Sequence, residues 1–493
     1  MNQELFELTP AKPESLGIPS GAIDEFLSEL KQKRFCMHSF ILLRHGKIAA
    51  EGYWPPFEES RKQRIYSISK SFTAIAVGMM IKEGKLSLES KVSDYFPEIL
   101  PESLHSFTLE ATVRDLLMMS TCNDQYPYES RLCCYSDDFI SNDGNKHKPG
   151  QVFLYDTPGT TALCTIIEKL SGMTMLEYMK PVLDEIGFSK DVYCIKTPDG
   201  HSWTGSGIIC TSRDLVRVAL LCMNKGEWNG KQLLDRDFIT AATSKQIDTS
   251  ISSFGIECGY GYGYQIWCLR DAGFFFYGMG SQFALCLPEL DMILITTADT
   301  QGSESAGDLI IDTFFRLVDK VSPIALPDDK IAYGKLCESI KNLSFPLPRG
   351  DETTLITQNI SGRTFKLDKN TAGMKWLRLI VESDKCKLEY ENETGTHEFV
   401  FGMKAFEPFL FPELNFGKQI GIKDTYYKCV GAGAWVSGHT FLGTIYSIDD
   451  YMGSIKMQLT FSEDEVTGLM VKAAEWFFDE YQGFISGKAE ELF

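Results

Sequence analysis

The sequence predicts an α+β fold in which helices flank an antiparallel sheet, followed by a C-terminal domain made only of strands. Strand patterns bracket a largely helical stretch over the first two thirds of the chain, which suggests one sheet completed by both ends of that domain. Prolines mark a linker next, and almost all of the remaining chain reads as strands. We therefore expect a first domain at 1–322, a linker at 323–350 and an all-β domain, a barrel or a sandwich, at 351–493.

The strands of the first domain are expected at its two ends. Residues 39–53 read as a hairpin, because two apolar runs flank a His-Gly turn, and three more strand-like runs follow at 262–269, 273–287 and 291–297. Between them lie segments whose apolar residues recur at helical spacing. These predicted helices are 67–82, 110–119, 158–187, a helix that begins at Thr211 or Ser212, and 305–321.

The linker and the second domain differ from the first domain in composition. Four prolines lie between 322 and 350, and a short helix is expected near 335–341. The clearest strand patterns of the second domain come after this segment. They are 362–367, 376–381, 385–390 and 454–461.

Charge and composition narrow the class of partner. The 493 residues carry a formal net charge of −19 at pH 7. Nucleic acids and anionic membrane surfaces require a basic face, so neither is an expected partner. The N-terminus has no basic start followed by an apolar run, and no stretch of about 18 apolar residues occurs. We therefore expect no secretory signal, no membrane span and a cytoplasmic location.

The cysteines and histidines do not predict a metal site. The 14 cysteines are scattered along the chain, Cys133-Cys134 being the only close pair, and the 7 histidines do not cluster. No C-x-x-C motif occurs, so a structural zinc site is not expected. We expect the cysteines to be reduced and mostly buried. We also expect the protein to use no metal or cofactor.

An S-x-x-K motif is the main candidate for chemistry, and it occurs twice. Ser28–Lys31 lies on a polar helix and reads as a solvated face, whereas Ser67–Lys70 begins an apolar helix just after a hairpin. Residues three apart share a helix face, and the helix N-terminus favours negative charge near Ser67. Burial of Lys70 would lower its pKa, so that a neutral lysine could take the serine proton. The alternative is a surface serine and lysine at a helix start.

Several stretches in fixed order, from about residue 15 to 322, resemble the serine β-lactamase and penicillin-binding-protein superfamily. The resemblance favours its class C-related branch, which includes esterases, D-aminopeptidases and nylon-oligomer hydrolases. It implies the β-lactamase fold, no cofactor, and acyl transfer through a serine. The matching stretches are 44–47, 66–73, 83–88, 92–97, 149–155, 211–215 and 278–282.

The second motif of this superfamily, Tyr-x-Asn, corresponds here to Tyr155-Asp156-Thr157. The resemblance implies that Tyr155 moves a proton, as a base or as a donor to the leaving group; the alternative is a buried structural tyrosine. Thr157 is a candidate substrate-binding residue, but it offers one hydroxyl in place of the two N–H donors of asparagine, which weakens the case for an amide substrate. A literal Tyr-x-Asn at Tyr390–Asn392 falls in the β domain and is rejected.

The third motif, Lys-Thr-Gly in β-lactamases, corresponds to Gly278-Met279-Gly280. No cation is present there to hold a substrate carboxylate, which argues against ordinary penicillin hydrolysis. The resemblance implies an oxyanion hole from the backbone N–H groups of Ser67 and Ser281. We expect these turn residues and Gln282 to line the substrate site; the alternative is a glycine-rich strand that packs tightly.

These observations predict a serine hydrolase that acts through an acyl-enzyme on a small ester, amide or peptide. A true β-lactamase or a D-amino-acid peptidase is an alternative within the enzymes. A penicillin-recognising sensor that acylates but turns over poorly is an alternative outside them, because two motifs are altered. A homo-oligomer is compatible with the sequence but is not indicated by it.

Overall fold

A computed structural model describes residues 8–98, 100, 106–122, 147–251, 254–413, 426–475 and 477–490. The chain forms two units, Met1–Phe345 and Pro346–Phe493. In the first unit the strands, in chain order, are β1 Met37–Arg44, β2 Lys47–Tyr53, β3 Gln63–Arg64, β4 Tyr193–Cys194, β5 Ile208–Cys210, β6 Glu227–Trp228, β7 Lys231–Gln232, β8 Trp267–Cys268, β9 Phe274–Gly278, β10 Gln282–Leu287 and β11 Met292–Ala298.

Six of these strands form the central antiparallel sheet of the first unit, in the order β2-β1-β11-β10-β9-β8. The N-terminal hairpin therefore pairs with the last strand, with Ile41 opposite Ile295, and both ends of the domain complete one sheet as predicted. Strands β1, β10 and β11 are buried along their whole length. A strand buried on both faces needs cover on both, which explains why most of its residues are apolar rather than every second one.

The helices of the first unit cover this sheet. They are α1 Ser20–Lys33, α2 Ser69–Lys82, α3 Ser106–Glu110, α4 Val113–Leu117, α5 Thr157–Ser171, α6 Met175–Glu185, α7 Ser212–Met223, α8 Arg236–Ala242, α9 Ala306–Val318 and α10 Lys330–Lys341. Helix α7 packs on β1, β10 and β11, whereas α1 packs on α9 and α10. Helix α2 packs against α5, α6 and α8, and its residues 69–80 are all buried. A helix that is apolar all round belongs in the interior, which places its first residues inside the fold.

Helix boundaries follow from local capping chemistry. Thr211, not Ser212, caps α7: its hydroxyl accepts from the Asp214 N–H, and the Asp214 carboxylate accepts in return. The helix predicted at 158–187 is two helices, because Gly172 takes a left-handed conformation with φ +71° and ends the first. The strand predicted at 262–269 is short, and only β8 pairs in the sheet.

The segment expected as a linker contains α10, which lies in the first unit and packs on α1 and β2. Asp24 of α1 accepts a hydrogen bond from Ser339 and forms an ion pair with Lys335 at 2.8 Å. The boundary between the two units falls after Phe345.

The second unit is a closed β-barrel. Its elements are the short helix α11 Thr357–Ile360 and the strands β12 Thr364–Leu367, β13 Trp376–Val381, β14 Lys385–Glu391, β15 Thr396–Gly402, β16 Glu407–Leu410, β17 Lys428–Trp435, β18 Thr440–Ile448, β19 Met452–Phe461, β20 Glu465–Ala474 and β21 Gly483–Ala489. Nine strands run in the order β15-β14-β13-β12-β21-β20-β19-β18-β17, and β17 returns to β15 through Gly402 and Ala432; β16 pairs with β17 only. Tyr390 points its hydroxyl at Tyr481 and Glu413, which fits a structural role for this tyrosine.

The described cysteines are all free, and most are buried; Cys133-Cys134 lies outside the described residues. No helix in the described ranges is both long enough and apolar enough to cross a membrane.

A buried histidine makes the stability of the first unit depend on pH. The His38 ring stacks on Phe57 with centroids 3.9 Å apart, and its Nδ1 lies 2.9 Å from Gln63 Oε1. Burial lowers the pKa of His38 to about 3. Between about pH 6.5 and pH 3 the unfolded chain therefore binds a proton at this histidine more tightly than the folded chain does. The free energy of unfolding decreases as the pH is lowered through this range, by up to about 1.4 kcal/mol per pH unit.

His38→Gln should remove this dependence. We expect the variant to be less stable than the wild type at pH 8 and the difference to narrow as the pH falls to 4.5, measured by urea unfolding. His45→Gln, at an exposed turn, is the control and should keep the wild-type slope. An unchanged slope in the His38 variant would contradict the assignment.

Candidate active site

Ser67 is presented by a strained turn at the start of the central helix. It lies in the 3₁₀ turn Tyr66–Ile68, between β3 and α2. Tyr66 has φ +50°, a left-handed conformation that costs a non-glycine residue about 1–2 kcal/mol. From residue 63 to residue 80, Ser67 is the one residue that is not fully buried. The turn thus exposes a single hydroxyl from an otherwise buried segment.

Lys70 lies directly beneath that hydroxyl. Its Nζ is 2.9 Å from Ser67 Oγ, and its side chain is 1% exposed. The ammonium also donates to the Gly205 carbonyl and lies 5.0 Å from the centre of the Tyr155 ring. In the other S-x-x-K pair, Ser28 and Lys31 are both exposed on α1. Only the Ser67 pair has the buried environment that acid–base chemistry requires.

A second buried cation supports the same turn, and sequence reasoning did not identify it. The Arg64 guanidinium donates to Ser206 O at 2.7 Å and to Ser206 Oγ at 2.8 Å. It lies between two aromatic rings, 4.1 Å from the centre of Tyr66 and 4.6 Å from that of Trp203. The segment 203–207 therefore holds Arg64 and, through Gly205, Lys70. The sequence feature that could have indicated these contacts is the run of small residues that follows Trp203.

Tyr155 enters the site as part of an aromatic cluster. Its ring is parallel to Trp267 with centroids 5.9 Å apart, and it contacts Phe254 at 4.8 Å. The ring is 8% exposed, and its face is turned to the Lys70 ammonium. The structure thus brings Ser67, Lys70 and Tyr155 together from two separate helix starts.

The next two residues of the second motif begin α5. Asp156 caps the helix, accepting from the Gly159 N–H at 2.9 Å and from Thr121 Oγ1 at 3.0 Å. Burial raises the pKa of Asp156, although these two donors and Lys70 oppose the rise. Thr157 is buried, and a Cβ at Gly205 would lie 2.6 Å from its methyl carbon. Thr157 therefore packs on Gly205, whose carbonyl accepts a hydrogen bond from Lys70.

The third motif forms a tight hairpin turn against the segment that leads into Ser67. Gly278 and Gln282 are the last pair between β9 and β10, so the N–H groups of residues 279–281 lie beyond the ladder. A Cβ at Gly278 would lie 2.3 Å from Ile65 O, so the absent side chain lets the strand reach the Ser67 turn. Gly280 and Ser281 both have positive φ, +77° and +68°.

Two side chains fix the shape of this turn. Ser281 Oγ lies 2.7 Å from Thr300 Oγ1. Gln282 is fully buried and donates to Met279 O at 3.0 Å and to Ala298 O, while its Oε1 accepts from the Ala298 N–H. The Gln282 amide, expected to line the substrate site, is therefore bonded to backbone. The third motif is Gly-Met-Gly, so Met279 is its one residue with a side chain, and that side chain is partly buried.

Metal ligands do not converge near these residues. In the part of the chain that the structure describes, no group of three or more His, Cys, Asp or Glu side chains is placed to hold a metal ion. The chemistry available to the site is that of a hydroxyl, an amine, a phenol and backbone N–H groups.

Comparison with known proteins shows which family the chain belongs to. A sequence model named Beta-lactamase matches residues 23–312, more than half of the chain. The chain belongs to the β-lactamase family. It is a serine hydrolase of that family, as the motifs predicted. Among curated proteins, the 6-aminohexanoate-dimer hydrolase of Paenarthrobacter ureafaciens is 22% identical over 282 residues, which cover 52% of this chain and 71% of that enzyme.

Solved structures agree with the fold. A Bacillus anthracis protein provisionally described as a 6-aminohexanoate-dimer hydrolase matches with a TM-score of 0.50 and 21% identity, over 59% of this chain and 80% of its own. A Bacteroides dorei protein provisionally described as a β-lactamase matches with a TM-score of 0.52 and 15% identity, over 61% and 99%. At these identities the likeness is one of fold.

Gly278→Ala tests the close approach of the third motif. The added Cβ would collide with Ile65 O and push the turn away from Ser67. We expect kcat/KM for an ester to fall about 100-fold, the usual effect of misplacing reacting groups by about 1 Å. Gly259→Ala is the control, because its Cβ would meet nothing within 4 Å. Thermal melting checks that both variants are folded at the assay temperature; a wild-type rate in Gly278→Ala would refute the proposed role of the contact.

Proposed function

We propose that the protein hydrolyses a small ester or amide through an acyl-enzyme on Ser67. The contact between Lys70 Nζ and Ser67 Oγ, 2.9 Å long and formed by a buried lysine, carries this proposal. Serine is a weak nucleophile by itself, and a base within hydrogen-bond reach is what activates it. The family membership supports the same chemistry.

The first half-reaction forms the acyl-enzyme. Ser67 Oγ attacks the substrate carbonyl carbon, and its one proton passes to whichever of Lys70 and Tyr155 is unprotonated, as a neutral amine or as a phenolate. The resulting oxyanion accepts hydrogen bonds from the N–H groups of Ser67 and Ser281. The bond to the leaving group then breaks, and that group takes the proton from Tyr155 or Lys70.

The second half-reaction releases the acyl group. A water molecule attacks the ester carbonyl of the acyl-enzyme, and the same unprotonated side chain takes one of its two protons. The proton returns to Ser67 Oγ as the acid product leaves. The start of α2 favours negative charge at Ser67 in both steps, because its first N–H groups have no partner within the helix.

The altered motifs support esters over penicillins. A lysine in the third motif would hold a substrate carboxylate, but Gly278 occupies its position. Thr157 is buried against Gly205 and does not replace the amide of the family asparagine. An ester also has a better leaving group than an amide, so it demands less of the proton donor.

The proposed chemistry involves the first unit alone. Ser67, Lys70, Tyr155 and Ser281 all precede the boundary after Phe345. We propose that 1–322 supplies the catalytic domain and that the all-β domain at 351–493 contributes no catalytic residue.

Ser67→Ala should abolish turnover without unfolding the protein. Loss of the nucleophile in a serine hydrolase costs on the order of 10⁶ in kcat. The measurement is nitrophenyl ester hydrolysis together with labelling by a fluorophosphonate probe. Ser28→Ala, in the exposed S-x-x-K, is the matched control and should react like the wild type.

Two outcomes would contradict this assignment. A Ser67→Ala variant that keeps more than about a tenth of the rate would require another nucleophile. A wild-type protein that releases one equivalent of nitrophenol and then stops would instead act as an acylating sensor.

Nitrophenyl esters should outperform benzylpenicillin by about 10- to 100-fold in kcat/KM. The reason is the absent cation, since a charged hydrogen bond to a carboxylate contributes roughly 1.5–3 kcal/mol. Steady-state kinetics on both substrates with one preparation measure the ratio. Comparable constants would mean that another group binds the penicillin carboxylate.

A further inference from the structure

We propose that Gln265 is a positioning residue for the proposed reaction, and that it sets the separation of Lys70 and Tyr155. This inference rests on the proposed function and adds to it a residue that acts through the two proton-carrying groups. Lys70 lies in the first turn of α2, and Tyr155 lies just before α5. Their contact, 5.0 Å from the ammonium to the ring centre, therefore depends on how the two helices are placed relative to each other.

Gln265 joins the two helices close to the ends that carry these groups. Its backbone carbonyl accepts a hydrogen bond from Ser71 Oγ at 2.9 Å, and Ser71 follows Lys70 directly in α2. Its side-chain Oε1 accepts from Thr160 Oγ1 at 2.7 Å, in the first turn of α5. One residue thus bonds to both helix starts.

The remaining polar groups of Gln265 bind the end of α4. The side-chain amide donates to Leu116 O at 2.7 Å and to Leu117 O at 3.3 Å, and the backbone N–H donates to Leu117 O at 2.9 Å. Gln265 is 2% exposed, and each of its donor and acceptor groups has a partner. A buried network in which every polar group is bonded is rigid, because a displacement leaves a donor or an acceptor unpaired.

The backbone of Gln265 is strained. Its φ is +58°, in the left-handed region, where a residue such as glutamine is uncommon. Such conformations persist where the surroundings over-determine them, and they cluster at functional sites. A glycine would fit this backbone, but it could bond neither Thr160 Oγ1 nor Leu116 O. The strained backbone therefore places a side chain that joins α4 to α5.

Hydrogen bonds fix the Lys70–Tyr155 separation more closely than apolar packing does. Helices α2 and α5 meet through residues of the apolar core, and burial of apolar surface is non-directional. Hydrogen bonds instead require donor–acceptor distances and angles within narrow limits. Two residues after Gln265, Trp267 lies parallel to the Tyr155 ring with centroids 5.9 Å apart. The segment that holds the two helix starts therefore also contacts the ring of Tyr155.

Two substitutions on α5 test the proposal at matched stability. Thr160→Val removes the hydroxyl that bonds Gln265, whereas Thr165→Val removes a buried hydroxyl that donates to Thr161 O of its own helix at 3.1 Å. Each loses one buried hydroxyl, so urea unfolding should show similar losses of stability. We expect kcat for a nitrophenyl ester to fall about tenfold in Thr160→Val, with KM within about twofold, and to stay near the wild-type value in Thr165→Val. Thr160→Ser keeps the hydroxyl and should restore kcat.

Gln265→Asn separates the side chain from the backbone. Asparagine tolerates left-handed conformations better than glutamine does, but its side chain is shorter by one methylene and cannot reach Thr160 and Leu116 together. We expect kcat to fall about 10- to 100-fold, and the rate constant for fluorophosphonate labelling of Ser67 to fall with it, because both reactions require the serine proton to be removed. If Gln265→Asn does not fold, the Thr160 variants decide the question.

The outcomes separate this inference from the proposed function. A Thr160→Val variant whose kcat matches that of Thr165→Val would overturn the positioning role, as would a folded Gln265→Asn variant with the wild-type kcat. A change in KM alone would also overturn it, because Gln265 would then shape the substrate site. In each of these cases, wild-type hydrolysis that depends on Ser67 would still support the serine hydrolase. If the wild type hydrolyses no ester and Ser67 resists the fluorophosphonate, the proposed function itself fails, and this inference fails with it.

Discussion

The site is organised by the need to satisfy one buried ammonium group. Removing an ammonium from water costs several kcal/mol unless polar groups replace its hydration. Lys70 is 1% exposed, and its ammonium meets the Ser67 hydroxyl, the Gly205 carbonyl and the face of Tyr155. These groups come from three segments of the chain, so a folded interior that holds the lysine also assembles the residues proposed for catalysis.

Motif spacing predicted that Ser67 and Lys70 lie side by side, because residues three apart on a helix share a face, and the two side chains do meet. It could not identify Arg64, whose partner Ser206 is 142 residues away and whose aromatic neighbours follow no local period. Spacing also gives no information on which way a polar side chain points. Gln282 was expected at the substrate, yet its amide is bonded to the backbone of the turn and of β11.

Hydrophobic periodicity in the sequence was enough to predict the sheet of the first domain, but not whether the second domain closes into a barrel. Two early and three late strand patterns indicated a sheet completed by both ends of the first domain, and β1 does pair with β11. Barrel and sandwich could not be distinguished, because inward and outward residues alternate in both. Closure depends on the contact of β15 with β17 at Gly402 and Ala432, which join residues from strands not adjacent in sequence.

The distribution of charge links the fold to the class of substrate. The two cations beside the Ser67 turn, Lys70 and Arg64, are buried and bonded to protein groups, so neither is a clamp for a substrate anion. At the third motif a glycine is required by contact with Ile65 O, which excludes a lysine there on steric grounds. The chain as a whole is acidic, with a net charge of −19. Such a field raises the local concentration of cations and lowers that of anions, so the steric constraint at Gly278 and the acidic surface act in the same direction.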